Sequence, residues 1–321
     1  MLNQCHVGDC RELLPQMAAA GVRVQTCVTS PPYFGLRDYG HAEQIGLEAT
    51  PAAYVTEIVA VLAEVRNLLA DDGTLWLNLG DSYAGLRGVQ VSQTKHRTHQ
   101  YGQANRAKEL PAGLKAKDLI GIPWRVAFAL QEAGWYLRSD IIWHKPNPMP
   151  ESVTDRPTKA HEYLFLLSKS ESYYCDMAAI REPAEYRTPN SPQSIKSPYG
   201  QRFTRRAAKA EASPRNDGNE WNECDGRGFT PTYEGRNKRS VWTVSTTPYP
   251  GAHFATFPAE LIEPCILAGS RTGDVVLDPF MGSGTTAQVA EALGRQWIGC
   301  EVNADYMPLQ AQRLSQRALA L

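Results

Sequence analysis

The 321 residues carry 42% hydrophobic and 21% charged side chains with a formal net charge of −1, the composition of a globular chain long enough for a sizeable core. No run approaches the ~20 consecutive apolar residues of a membrane span, and Met1-Leu2-Asn3-Gln4-Cys5 offers neither a basic n-region nor an apolar h-region, so the expectation is a cytoplasmic protein with no membrane partner. Seven cysteines, at 5, 10, 27, 175, 224, 265 and 300, form no Cys-x-x-Cys pair; Cys5-His6 with Cys10 could in principle ligate a metal, but the reading is reduced thiols and no metal site.

His6 to Asp9 ends a first strand, and Cys10 to Ala20 is a short helix. Gln25 to Thr29 reads as a buried strand, residues 34–50 as a glycine-containing loop, and Tyr54 to Leu69 as a helix with apolar residues at 54, 58, 61, 62, 65, 68 and 69. Asp71-Asp72-Gly73 ends that helix before a strand from Thr74 to Leu79. Residues 82–117 are polar and aperiodic, a length that argues for a functional loop. A helix then starts at Asp118 or at Gly121-Ile122-Pro123 and runs to Ala133, and strands at Trp135–His144 and Glu162–Leu167 bracket a proline-rich loop. Residues 185–240 show little periodicity; Pro258 to Leu267 is helical. Strand 275–278 with a helix to Leu293, and strand 296–300 with a helix to Leu319, close the chain. Strands 275–278 and 296–300 read as the first two of a doubly wound unit, with the segment near Val7 third and 26–29 fourth.

Charge is unevenly placed. Residues 85–117 hold seven Lys/Arg against Glu109, a balance of +6, and residues 185–240 hold eleven against seven acids, a balance of +4, leaving −11 for the rest. Two basic segments on a near-neutral chain are the distribution that phosphate binding needs. In the second, Phe203, Trp221, Phe229 and Tyr233 are interleaved with the arginines.

Ser30-Pro31-Pro32-Tyr33 follows the strand at 25–29. Two prolines stop it, because neither donates to a ladder and both fix φ. A hydroxyl, a carbonyl and an aromatic face are left at the strand's carboxyl end, where open α/β sheets bind ligands. A flat ring with an exocyclic amino group suits the place: it can stack on Tyr33, and its NH2 can donate to the Ser30 hydroxyl and the Pro31 carbonyl. Two such bonds draw the nitrogen out of conjugation and free its lone pair for attack. By itself the stretch reads equally as a turn with an incidental tyrosine.

The strand Asp274-Val275-Val276-Leu277-Asp278 runs into Pro279-Phe280-Met281-Gly282-Ser283-Gly284-Thr285-Thr286, and Glu301 ends the next strand. Glycines at 282 and 284 allow a tight turn and close backbone approach to a ligand. Gly282-x-Gly284-x-x-Ala287 satisfies the dinucleotide fingerprint, with Glu301 at about the expected ~20 residues to bind a ribose diol. No Gly-Lys-Ser/Thr follows, so this is not a P-loop.

Together the two motifs resemble the amino-methylating DNA methyltransferases that use S-adenosylmethionine. In that family a (D/N/S)-P-P-(Y/F) tetrad binds the target amino group and a D-P-F-x-G-S-G loop holds the cofactor. The chain order, tetrad first and loop near the C-terminus, resembles the permuted β-group. Val7-Gly8-Asp9-Cys10, Gly73-Thr74-Leu75-Trp76-Leu77-Asn78, Ile142-Trp143-His144-Lys145-Pro146, Glu162-Tyr163-Leu164-Phe165 and His253-Phe254-Ala255-Thr256-Phe257-Pro258 are similar to its connecting blocks. The resemblance covers most of residues 4–175 and 240–315.

It implies an α/β, Rossmann-like S-adenosylmethionine-dependent methyltransferase sheet, circularly permuted, with an inserted target-recognition region. Residues 1–184 would form the catalytic part, with the basic loop 85–117; 185–240 would recognise the target, and 241–321 would complete the cofactor part. Ser30, Pro31, Pro32 and Tyr33 would hold the target base. Asp278, Pro279, Phe280, Gly282, Gly284 and Thr285 would hold the methionine part, Glu301 the ribose, and Asp9 the adenine end, with Phe254 and Phe257 completing the pocket. Lys95, Arg97 and Lys108 from the first basic segment, and Arg202, Arg205, Arg206, Arg236, Lys238 and Arg239 from the second, would meet double-stranded DNA. Lys145 reads equally as a phosphate contact and as a solvated loop lysine.

C5-cytosine methylation needs a cysteine nucleophile beside proline in a loop, and Pro264-Cys265 lies in a predicted helix. Serine at the head of the tetrad favours cytosine N4, with adenine N6 as the alternative. A methyltransferase of RNA or protein amides explains a 56-residue basic, aromatic insert less well than duplex DNA does. An NAD-dependent oxidoreductase leaves the tetrad without a role. A homodimer and a cognate restriction endonuclease stay open.

Overall fold

The stretches rich in β-branched and aromatic residues become β1 (Gln4–Val7), β2 (Val24–Thr29), β3 (Leu69–Leu79), β4 (Tyr136–His144), β5 (His161–Ser168), β6 (Val241–Thr243), β7 (Val275–Asp278) and β8 (Gln296–Glu301). The helices are α1 (Cys10–Ala19), α2 (Pro51–Leu68), α3 (Ile122–Glu132), α4 (Ala259–Gly269), α5 (Thr285–Ala292) and α6 (Met307–Ser315). These come from a computed structural model that describes residues 1–36, 38, 41, 44–84, 110, 113–183, 235–246 and 257–315. The chain divides into two units, Met1–Ile180 with Lys238–Leu321, and Arg181–Asn237.

In the first unit the strands form one sheet in the order β1-β8-β7-β2-β3-β5-β4-β6. Only β5 is antiparallel to its neighbours, β3 and β4. Its amino end therefore shares an edge with the carboxyl ends of the other seven. The four strands expected as the doubly wound unit lie side by side as β1-β8-β7-β2.

Alternation along the strands divides the core. Cys27, Leu75, Leu77, Leu277 and Ile298 pack with Leu14 of α1, Tyr54, Ile58 and Leu62 of α2, and Val126 and Leu130 of α3. Val28, Trp76, Val276 and Trp297 pack on the other face with Leu261, Ile262 and Ile266 of α4 and Val289 of α5. Each fully buried aliphatic side chain contributes roughly 1.5–3 kcal/mol, so this double burial fixes the register and the edge on which the strand ends emerge.

The local chemistry moves some boundaries. α2 starts before Tyr54 because the Thr50 hydroxyl accepts from Ala53 N at 3.1 Å and Pro51 suits the first turn. β3 begins at Leu69, before the expected Thr74: Leu69 pairs with Val24, and an irregularity between Val24 and Thr26 absorbs the extra residues. The expected final helix is preceded by a 3-10 turn at Ala304–Tyr306, and residues 316–321 lie outside the described residues. β6 has three residues and no strong pattern; it is held by pairing parallel to β4 and by Trp242, buried in the second core cluster. Among the described residues no helix is long and apolar enough to cross a membrane. In the second unit, Glu182 and Arg236 pair antiparallel and are joined by a 2.8 Å ion pair.

Candidate active site at the carboxyl edge of the sheet

Two strand-end clusters meet at this edge. The first surrounds Ser30-Pro31-Pro32-Tyr33, just past β2. The Tyr33 hydroxyl lies 2.7 Å from Glu162 Oε2 and 3.1 Å from Asn78 Oδ1, and receives Ser30 Oγ at 3.3 Å. It has one proton to give, and the shorter contact directs that proton to the carboxylate. Burial, reinforced by the Glu162 charge, pushes the Tyr33 phenol well above its ordinary pKa, so it stays a donor. Asn78, the penultimate residue of β3, donates to the Tyr163 carbonyl at 3.0 Å. Glu162, the second residue of the reversed strand β5, is ion-paired with Lys145, just past β4.

Lys145 is not a solvated loop lysine. It is only 18% exposed, bonded to Glu162, and its ammonium sits 4.1 Å from the Trp143 ring centroid. The Tyr33 ring is seated by Gly80: a Cβ at residue 80 would fall 2.5 Å from Tyr33 Cε2. The Tyr54 hydroxyl donates to the Pro32 carbonyl at 2.8 Å, fixing the turn. Among the described residues no donor reaches the Pro31 carbonyl. It is the acceptor left open beside the Ser30 hydroxyl.

The second cluster is the glycine turn after β7. Asp278 is 1% exposed and accepts from Thr29 Oγ1 at 2.6 Å, Thr286 Oγ1 at 2.6 Å and Phe280 N at 3.0 Å. Burial raises its pKa to about 6 against those three donors. Its oxygens are committed to the protein, so it braces the turn. Glu301 accepts from Gly282 N at 2.8 Å and Asn303 N at 2.9 Å, one bond per oxygen, and burial raises its pKa as well. A carboxylate has about four acceptor sites, so Glu301 keeps capacity for a diol.

Gly284 has φ +85°, and a Cβ there would lie 3.2 Å from Gln310 Cγ of α6. Gln310 also donates to the Gly282 carbonyl at 2.8 Å, and Arg313 donates to the Thr285 hydroxyl. Ser283 Oγ is enclosed with no protein partner among the described residues. A buried hydroxyl without a partner is costly, and it fits a polar ligand lying on the turn. Pro279 lies within this turn, and Phe280 is partly buried against the first core cluster.

Asp9 stands at the end of β1, beside β8, where Gly8 N donates to the Glu301 carbonyl at 2.8 Å. Its carboxylate caps α1 and is gripped by the Arg11 guanidinium at 2.6 to 3.1 Å. Burial works to raise its pKa, but the Arg11 hydrogen bonds and charge hold it below the ordinary value. Arg11 also pairs with Glu57 at 2.9 Å. Phe257 packs on the second core cluster.

Of the residues expected at DNA, Lys95, Arg97, Lys108, Arg202, Arg205 and Arg206 lie outside the described residues, as does Phe254. Arg236 is paired with Glu182. The Lys238 ammonium is 5.0 Å from the Trp242 ring centroid, and the Arg239 carbonyl accepts from Trp242 Nε1 at 2.7 Å.

Asn78 and Glu162 lie inside motif blocks and Thr29 ends a predicted strand, but the sequence alone assigns none of them a task and gives no sign of Gln310 or Arg313. The usable signal was position. Thr29 and Asn78 sit at the carboxyl ends of strands, and Glu162 precedes an apolar run.

Comparison with known proteins agrees with this architecture. Residues 24–313 match the family N6_N4_Mtase, described as DNA methylase. The chain is 47% identical over 308 residues to the type II methyltransferase M.Cfr9I of Citrobacter freundii, covering 96% of this chain and 86% of that protein. It is 43% identical over 312 residues to M.SmaI of Serratia marcescens, covering 97% and 90%. Among solved structures, the cytosine-N4-specific PvuII DNA methyltransferase superposes with a TM-score of 0.59 at 20% identity, covering 97% of this chain and 85% of that one. The M1.HpyAVI–SAM complex superposes with a TM-score of 0.53 at 18% identity, covering 97% and 99%. With nine-tenths of its length in the family match and near-half identity to type II methyltransferases, the chain belongs to the N6/N4 DNA methylase family.

Proposed function

We propose that this protein transfers a methyl group from S-adenosylmethionine to the N4 amino group of a cytosine flipped out of double-stranded DNA. The observation that carries this reading is the open Pro31 carbonyl beside the Ser30 hydroxyl, one residue beyond the Thr29–Asp278 bond to the glycine turn. An exocyclic amino group has two hydrogens to give, and the two acceptors match them. Tyr33, seated on Gly80 and tied to Glu162, offers a stacking face for the base.

The turn fits the cofactor. Ser283 Oγ and the turn backbone would hold the methionine part, and Glu301 the ribose hydroxyls; the bound sulfonium supplies an activated methyl. Asp278 acts by holding the turn's shape. Positioning supplies much of the rate. Serine at the head of the tetrad supports cytosine: a neutral hydroxyl accepts from the amino group without placing a full charge beside it. The neighbouring chain ends in the order β1-β8-β7-β2 support a circular permutation of the methyltransferase sheet. The basic segments 85–117 and 185–240 would supply phosphate contacts and base reading. The type II relatives support a role in DNA modification beside a cognate endonuclease.

Mass spectrometry of nucleosides from DNA of cells expressing the chain tests the reading. N4-methylcytosine is expected. N6-methyladenine alone overturns the base assignment, and neither modified base overturns the function.

A further inference from the structure

We propose that Thr29 is a positioning residue for methyl transfer, its hydroxyl setting the spacing between the acceptor pocket on β2 and the donor turn on β7. The proposal rests on the function given above. β2 and β7 are parallel neighbours, but their pairing ends at Cys27 and Leu277. Here the winding of the sheet reverses: β7 is followed through α5 by β8 on one side, while β2 lies on the other. Strand ends open into a crevice at such a switch point. Beyond the last backbone pair, the 2.6 Å bond from Thr29 Oγ1 to Asp278 Oδ1 spans this crevice.

Both residues are buried, at 0% and 1% exposure. A short hydrogen bond to a carboxylate in a water-free setting is stiff and strong. Thr29 immediately precedes Ser30, and the same Asp278 oxygen holds Phe280 N of the turn at 3.0 Å. One oxygen thus fixes the acceptor strand and the donor turn at once. Thr286 provides an internal control. It makes an equally short bond to the other oxygen but sits on the donor side, and its approach to the β2 backbone, at the Val28 carbonyl, is 3.5 Å.

The test compares purified wild type, Thr29→Val, Thr29→Ser and Thr286→Val by calorimetric S-adenosylmethionine affinity and single-turnover methylation of duplex DNA. For Thr29→Val, affinity is expected to stay within about threefold of wild type, while the single-turnover rate falls on the order of a hundredfold. Thr29→Ser should recover most of the rate, because it keeps the donor. Thr286→Val should lose cofactor affinity instead. If the valine chain does not fold, Thr29→Ala carries the same comparison. Equal losses of affinity and rate in the variants at 29 and 286 overturn the proposal, as does an undiminished rate in Thr29→Val. Wild type that binds cofactor but leaves DNA unmethylated overturns the functional reading and this assignment together.

Discussion

Apart from the Thr29–Asp278 bond that joins the two sides of the crevice, 249 residues apart in the chain, donor-side side chains bond to nearer neighbours: Asp278 and Thr286 are eight residues apart, Glu301 and Gly282 nineteen. On the acceptor side the bonds reach across the sheet: Tyr33 is 45 residues from Asn78 and 129 from Glu162. The donor turn is therefore shaped largely by its own segment. The acceptor pocket exists only when β2, β3, β4 and β5 are aligned. Damage to the acceptor network should change turnover and spare cofactor binding, whereas damage to the donor turn should remove cofactor binding.

The largest expected effect is on the donor side. Asp278→Ala strips the acceptor from Thr29, Thr286 and Phe280 N, each costing roughly 1–3 kcal/mol when left buried and unpaired. S-adenosylmethionine affinity measured by calorimetry should fall on the order of a hundredfold, about 2.7 kcal/mol. Unchanged affinity would place the cofactor elsewhere.

Next is the acceptor side. Glu162→Gln removes the charge that pairs with Lys145 and accepts from Tyr33. Turnover should drop about tenfold, the equivalent of 1.4 kcal/mol, with cofactor affinity unchanged. An equal loss of both would erase the distinction between the two sides.

A pH titration sharpens it. Burial raises the Asp278 pKa from 3.8 to about 6, so the folded chain holds that proton more tightly than the unfolded one. Its contribution to stability is fully present below the unfolded value and is lost as pH rises to about 6. Cofactor binding runs the other way, because the ionised carboxylate accepts all three donors. Affinity should fall by up to about tenfold per pH unit below about 6. A flat affinity between about pH 5 and about pH 8 contradicts a bracing role for the ionised form.

The smallest effects lie in the basic segments. Neutralising Lys95, Arg97 and Lys108 together should flatten the slope of log K against log salt by up to about 2.7, at about 0.9 per phosphate contact. Arg236→Ala should change it less than any one of these, since that guanidinium is engaged by Glu182. A change in sequence preference instead would mean that the first basic segment reads bases.

The same contrast explains what the sequence made legible. The glycine turn is written in consecutive residues, so the strand end at Asp278, the turn at Gly282 and Gly284 and the acid Glu301 ending the next strand were legible from spacing, and the strand order β1-β8-β7-β2 followed from alternating strands and helices. Glu162 and Lys145 could not be placed, because their task depends on β5 running opposite to β3 and β4. Arg11 was hidden for another reason: its two-residue separation from Asp9 reads as a surface pair until the cap geometry brings the guanidinium onto the carboxylate. Thr29 was visible as the last residue of a predicted strand, but its partner lies 249 residues away.

The central claim is that donor and acceptor functions occupy adjoining but separable halves of one edge. Calorimetric titration of S-adenosylmethionine into Tyr33→Ala tests it most directly. That variant loses a stacking face worth roughly 1–3 kcal/mol per base and most methyl transfer. The expected result is cofactor affinity within about threefold of wild type; loss of cofactor affinity along with activity would contradict the separation.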